Sequence, residues 1–202
     1  MEKSNIVGLM GWLKSIEPIE EANGMSFKGY RAIVTTERKS KVKDDAVVLV
    51  PEALHKTDLA EGTPVMAAGA IQTHKNFTTG KVMVYVLATV FEQIKGEHWE
   101  SENEVTLTGT IGRGTVYRET PNGRRITNIF ARIPCELNQE VNCYVPCICW
   151  GNAATEAADW EEGTPIKATG RLQSREYEKA LEGGTTEVRT CYEVSIRDIE
   201  RA

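Results

Sequence analysis

Tyr144 and Trp150 stand six positions apart in the run CYVPCICW, residues 143–150. A third aromatic, Tyr177, lies between Arg175 and Lys179, with Arg171 before it and Arg189 further on. Arg113, Arg118, Arg124 and Arg125 gather around the turn PNG, residues 121–123. Flat rings beside guanidinium groups can stack planar heterocycles and pair with phosphates without reading sequence; each stacked base contributes roughly 1–3 kcal/mol. For any one Arg or Lys, solvated surface charge is the commoner role, and Glu119, Glu176 and Glu178 dilute the field here.

Such groups need an element that turns them outward. Taken as a strand, residues 143–150 put Tyr144, Ile148 and Trp150 on one face and Cys143, Val145, Cys147 and Cys149 on the other. Small, polarizable thiols suit a barrel interior, which leaves the rings outside. The competing assignment puts Trp150 inside and the thiols out. In the first half of the chain the corresponding candidates are Trp12, Lys28, Arg31, Lys75, Phe77 and Lys81. Trp160 reads as packing against a barrel and Trp99 as a staple between two halves.

Other chemistries find little support. His55, His74 and His98 have no nucleophile motif nearby, and no phosphate-binding loop of the G-x4-G-K-[ST] type occurs. The lone Gly112-Arg-Gly114 carries no such meaning. Cys135, Cys143, Cys147, Cys149 and Cys191 lack the paired C-x2-C knuckles of a zinc ribbon. We therefore expect no enzyme, cofactor or metal. No apolar run approaches 18 residues and no signal-peptide pattern opens the chain, so the expectation is a cytoplasmic protein with free thiols and no membrane partner. The charge is −5 in total; residues 1–102 carry 12 Lys+Arg against 14 Asp+Glu, and residues 103–202 carry 12 against 15. Neither half is basic overall, so a strong non-specific binder of duplex DNA is not expected, although a locally basic groove is compatible with this balance.

The scaffold is legible as a duplication. AEGTPVMAAGAIQTHKNF, residues 60–77, returns as EEGTPIKATGRLQSREY, residues 161–177, with Gly62 and Gly69 spaced like Gly163 and Gly170. One glycine of each pair suits a turn and the other a bent strand or a close backbone approach. Asn5, Gly11, Gly24 and Gln72 likewise match Asn103, Gly109, Gly123 and Gln173, at offsets of 98 to 101. Strand patterns fall at 5–13, 27–36, 46–50, 64–71 and 81–91, with turns at 18–24 and 72–80 and a short helix over 51–59. They recur at 105–111, 126–133, 143–150, 165–174 and 187–199, with a helix over 152–160 and a loop over 178–186. Five strands with a helix between the third and fourth, twice over, predict an all-β protein of tandem OB-folds, each a five-stranded Greek-key barrel. The expected domains are residues 1–94 and 103–202, joined by the polar linker 95–102.

The second half resembles the bacterial and phage single-stranded DNA-binding protein family. The resemblance rests on NEVTLTG (103–109), VYRETPNG (116–123), YVPCICWG (144–151), AATEAA (153–158), EGTPIKATGRLQSREY (162–177) and EVSI (193–196), in that order. It implies a barrel that wraps single-stranded DNA over aromatic side chains, with Tyr144, Trp150 and Tyr177 at the stacking positions. It also implies a role in replication, recombination or repair, with proteins of those processes as partners, in the bacterial cytoplasm or nucleoid or in a phage-infected host. A homodimer would bring four barrels together. The family's acidic-tipped tail is not matched by any stretch of this sequence, and the first half has Lys43, Leu49 and Asn76 or Phe77 near the aromatic positions. The rival expectation is an OB-fold interaction module of a replisome or primosome that binds nucleic acid weakly.

Overall fold

The computed structural model describes residues 5–22, 25–55, 59–75, 82–138, 140–180 and 185–202. The first half contains β1 (Asn5–Ala22), β2 (Met25–Glu37), β3 (Lys43–Pro51), β4 (Pro64–Lys75) and β5 (Val82–Gln93). The second contains β6 (Glu102–Ile111), β7 (Val116–Glu119), β8 (Arg125–Pro134), β9 (Asn142–Trp150), β10 (Pro165–Ala180) and β11 (Thr186–Arg201). A single α-helix among the described residues, α1 (Asn152–Glu156), lies between β9 and β10. The protein is all-β with the OB architecture.

Hydrogen bonding closes the ring β1-β2-β3-β5-β4 back onto β1, with β3–β5 parallel and the other pairs antiparallel. The ring β6-β8-β9-β11-β10 closes onto β6 in the same order, with β9–β11 parallel. β6 and β7 together take the place of the long β1, broken around residues 112–115. Side chains alternate as the pleat requires: Val7 and Leu9 point into one ring, Val105 and Leu107 into the other, all essentially inaccessible. The duplicated glycines do matching work. A Cβ on Gly69 would lie 2.0 Å from Leu87 O, and one on Gly170 2.2 Å from Ser195 O; each marks a register shift where the fourth strand of its ring bends. Gly62 and Gly163 take positive φ, 83° and 88°, in the turns before those strands.

Several expectations need correction. The acidic turn expected over 18–24 is strand as far as Ala22, because β1 continues past the ring as a hairpin arm with β2. Beyond Trp12 the arm pairs with β2 alone, so Pro18 costs no bond on the open edge. The helix expected over 51–59 is a 3₁₀ turn at Glu52–Leu54; residues 56–58 lie outside the described residues. α1 stops at Glu156 rather than reaching Trp160, which is nevertheless buried in the core as expected. The last hairpin is longer than expected: β10 runs to Ala180 and β11 from Thr186, with residues 181–184 outside the description.

The two rings share one eleven-stranded sheet because β1 pairs antiparallel with β6, Asn5 opposite Leu107 through Met10 opposite Glu102. The N-terminal part of β1 is not used by β2, and β6 meets β8 only at Thr110 and Ile111. Each strand thus has a free edge that the other satisfies. The segment before β6 reinforces the seam. Ser101 Oγ accepts from Glu37 N at 2.8 Å and donates to Met10 O at 3.0 Å, and Trp99 packs on Trp12 with ring centroids 4.9 Å apart.

Candidate nucleic-acid interface

In β9 the thiols of Cys143, Cys147 and Cys149 and the side chain of Val145 point inward, while Tyr144 and Trp150 remain 44% and 38% exposed. Burial pushes the Cys149 thiol up to about 12, that of Cys143 to about 11, and that of Cys147 well above its ordinary value. These groups are neutral packing elements at physiological pH. Ile148 shares the parity of the two rings yet is buried, so the outward face displays two aromatics with a covered residue between them. Tyr144 and Trp150 are about 20 Å apart along the strand at roughly 3.3 Å per residue. Tyr144 packs closely against Gly112: a Cβ there would stand 2.7 Å from Tyr144 Cδ1.

Register extends this face across neighbouring strands. Tyr144 is opposite Arg132 and Pro146 opposite Phe130 on β8, and Ile148 is opposite Ser195 on β11. Ser195 is opposite Arg171, and from there Gln173, Arg175 and Tyr177 follow on β10, with Glu193, Cys191 and Arg189 opposite them. The hairpin therefore presents Arg175, Tyr177 and Arg189 together. Tyr177 is 40% exposed, and the Arg175 guanidinium stands 5.8 Å from its ring centroid while bonding Glu193 Oε1 at 3.1 Å. Arg189 is held by Glu187 at 2.6 Å. Arg118 and Arg124 are exposed at the β7–β8 turn; Arg125 is half-buried and donates to Thr155 Oγ1 at 2.8 Å. Lys179 is in β10, and its side chain is outside the description.

The first-half candidates are arranged differently. Lys28 pairs with Glu52 at 2.9 Å and Arg31 with Glu17 at 2.9 Å. Arg31 lines a separate cleft of 670 Å³ with Lys14, Lys43 and Tyr192. Lys75 ends β4 with its side chain outside the description; Phe77 and Lys81 lie outside the described residues. The first-half face is covered at Leu49, the counterpart of Trp150, while Lys43, the counterpart of Tyr144, is exposed. Val47, Leu49 and Tyr85 are 2%, 1% and 0% exposed, beneath Ile19 and Phe27 of the hairpin arm and Leu137 and Tyr192 of the second half.

Trp12 is the exception. It lines a groove of 1380 Å³ between the halves, together with Arg124, Trp150 and Arg171. The groove also receives Arg38, Lys39 and Lys41 from the β2–β3 turn and Arg197 from β11, none of which sequence reasoning picked out. Phe130, with Arg113 stacked 3.8 Å over its ring, and Arg132 were missed as well. Phe130 sits in an apolar run that reads as core, and the β2–β3 turn reaches the groove only through the seam.

The chain folds as OB barrels, the second of which carries aromatic and cationic side chains on its outward face. The single-strand binding protein family matches residues 102–202, and the chain belongs to that family. No curated protein matches the chain. The whole chain is similar to the crystal structure of wild-type single-stranded DNA binding protein from Thermus aquaticus, with a TM-score of 0.74 and 18% identity, covering 100% of this chain and 94% of that one. A deletion mutant of the same Thermus aquaticus protein gives a TM-score of 0.73 at 18% identity, covering 99% of this chain and 95% of that one.

Proposed function

We propose that the protein binds single-stranded DNA, largely without sequence preference, on the outward face of its second barrel. The observation that carries this reading is the exposure of Tyr144, Trp150 and Tyr177 on the same outward side of the second barrel, with Arg175 and Arg189 beside Tyr177 and with Arg124 and Arg171 in the groove that Trp150 lines. Exposed rings next to cations stack bases and neutralise phosphates, and surface binding of this kind calls for no catalytic group or cofactor. Membership of the family supports the reading. Replication, recombination or repair is the setting it suggests, in a cytoplasmic or nucleoid location. Among the described residues no helix is long and apolar enough to cross a membrane.

Residues 1–94 and 103–202 act in this proposal as two domains with different duties. A homodimer is part of the same reading: Ile6 and Met66 are 58% and 36% exposed on the outward side of β1 and β4, an apolar surface suited to a second copy. Sedimentation at micromolar concentration tests that part, and a monomer mass removes it.

The test of binding is a titration with oligo-dT followed by tryptophan emission at low and high salt. Quenching that weakens with salt is the expected result; no quenching at low salt and micromolar protein removes the reading. The alternative, an interaction module of a replisome or primosome, is favoured by the covered face at Leu49 and Tyr85. It predicts that protein partners bind while oligo-dT does not.

A further inference from the structure

We propose that the groove between the halves holds one phosphate of the bound strand between Arg171 and the Arg38 turn, so that the first half completes a site its own barrel face cannot form. The inference rests on the single-strand reading above. Arg171 follows the bulge at Thr169/Gly170 and faces the groove from β10. Its Nε is buried and has no hydrogen-bond partner. An orphaned donor is costly to the fold, and the half-buried Arg171 side chain also lines the groove, where a ligand can reach it. Arg38 stands across from it, fixed by two bonds of 2.6 Å to the carboxylate of Asp44 and reaching Gln173 Oε1 at 3.4 Å. Burial and the proximity of Arg38 both weaken the proton affinity of Arg171, with Asp44 opposing them in part. Two guanidinium groups and one carboxylate leave a net positive charge at this point.

The surroundings favour a phosphodiester over a free-standing ion. Trp150, which is partly exposed, and Trp12 line the same groove, so an aromatic for base stacking lies beside the phosphate position. Lys39, exposed at the tip of the turn, has no ion pair among the described residues, whereas Lys41 is held by Glu37 and Arg197 by Glu104. Glu37, Glu100, Glu102 and Glu104 also line the groove, so attraction is local to the Arg171 corner. The planar fork of arginine suits a phosphate better than the point charge of lysine does.

The test uses the full chain and an oligo-dT ligand across a range of salt. Arg171→Gln should weaken binding about tenfold or more and flatten the slope of log K against log salt by about 0.7. Its melting temperature should stay level or rise, since the orphaned charge is gone; a residue that merely supports the fold would lower it. Lys39→Glu should weaken binding several-fold, and Lys95→Gln, which is not among the groove-lining residues, should not. If Arg171→Gln fails to fold, Arg171→Lys replaces it, with the slope kept and affinity reduced. Unchanged affinity in the arginine variant overturns the proposal. A silent Lys39→Glu overturns the contribution of the first half. Failure of the unmodified protein to bind removes the underlying reading itself, a distinct result.

Discussion

Val7 and Val105 face each other across the seam, and each is the other's counterpart in the duplication, 98 positions apart in the chain. The antiparallel register therefore has approximate twofold symmetry about this pair: Asn5 opposes Leu107, and Leu9 opposes Asn103. Asn103 uses its amide fully, donating to Thr36 Oγ1 and Leu172 O at 2.9 Å and accepting from Leu172 N at 2.8 Å. On the other side Asn5 donates to Ile71 O at 3.0 Å. Because both cores abut this seam, we expect one unfolding transition. Val105→Ala should lower stability by about 2 kcal/mol and shift the whole transition, with fluorescence and circular dichroism midpoints coinciding in a denaturant titration.

The counterparts Trp150 and Leu49 should separate binding from stability. Trp150→Ala removes a partly exposed ring and should cut oligo-dT affinity by roughly 1–3 kcal/mol, with little change in melting. Leu49→Ala empties a fully covered position and should cost about 2–5 kcal/mol of stability while leaving affinity intact. Paired titration and denaturation of the two variants distinguishes these outcomes.

Glycine substitutions should sort by the space around them. Gly170→Ala places a methyl group 2.2 Å from Ser195 O and should destabilise by about 3 kcal/mol or more. Gly8→Ala meets nothing within 4 Å and should be tolerated. Thermal melting of both reads the contrast.

Alkaline pH should unfold the protein through its thiols. Unfolded cysteine ionises at about 8.5, whereas burial holds Cys149 up to about 12 and Cys143 up to about 11 in the fold. The folded form keeps its protons longer, so this stability is complete below the unfolded value and is lost as pH rises from there toward the folded values. Each thiol contributes a fall of about 1.4 kcal/mol per pH unit within that window. Cys149→Val should remove its share, seen as a shallower decline of stability above pH 9 than in the unmodified protein.

Much of this was written in local pattern. The alternation in 143–150 and the repeated glycine pairs report on immediate neighbours, so strands, bends and the exposure of Trp150 could be read directly. The hairpin arm could not: Pro18 and the acids around it look like a turn, and only an open edge makes them strand. The covered face at Leu49 was hidden because Leu137 and Tyr192, which close it, come from the other half. Arg38 meets Gln173 across 135 positions of chain, a separation at which spacing carries no signal.

The seam has one more consequence. A pair of identical barrels related by a true twofold would look the same to a strand run in either direction. Here the scaffold is nearly symmetric but its decoration is not: Trp150 and the arginines lie on one side of the Val7–Val105 axis, and the Arg38–Lys41 turn leans in from the other. The molecule therefore has a front and a back along the strand and should seat DNA with a single 5′-to-3′ polarity. Oligonucleotides carrying a quencher at one end or the other would read it as unequal quenching of Trp150, and equal quenching from both ends would show that the polarity is absent.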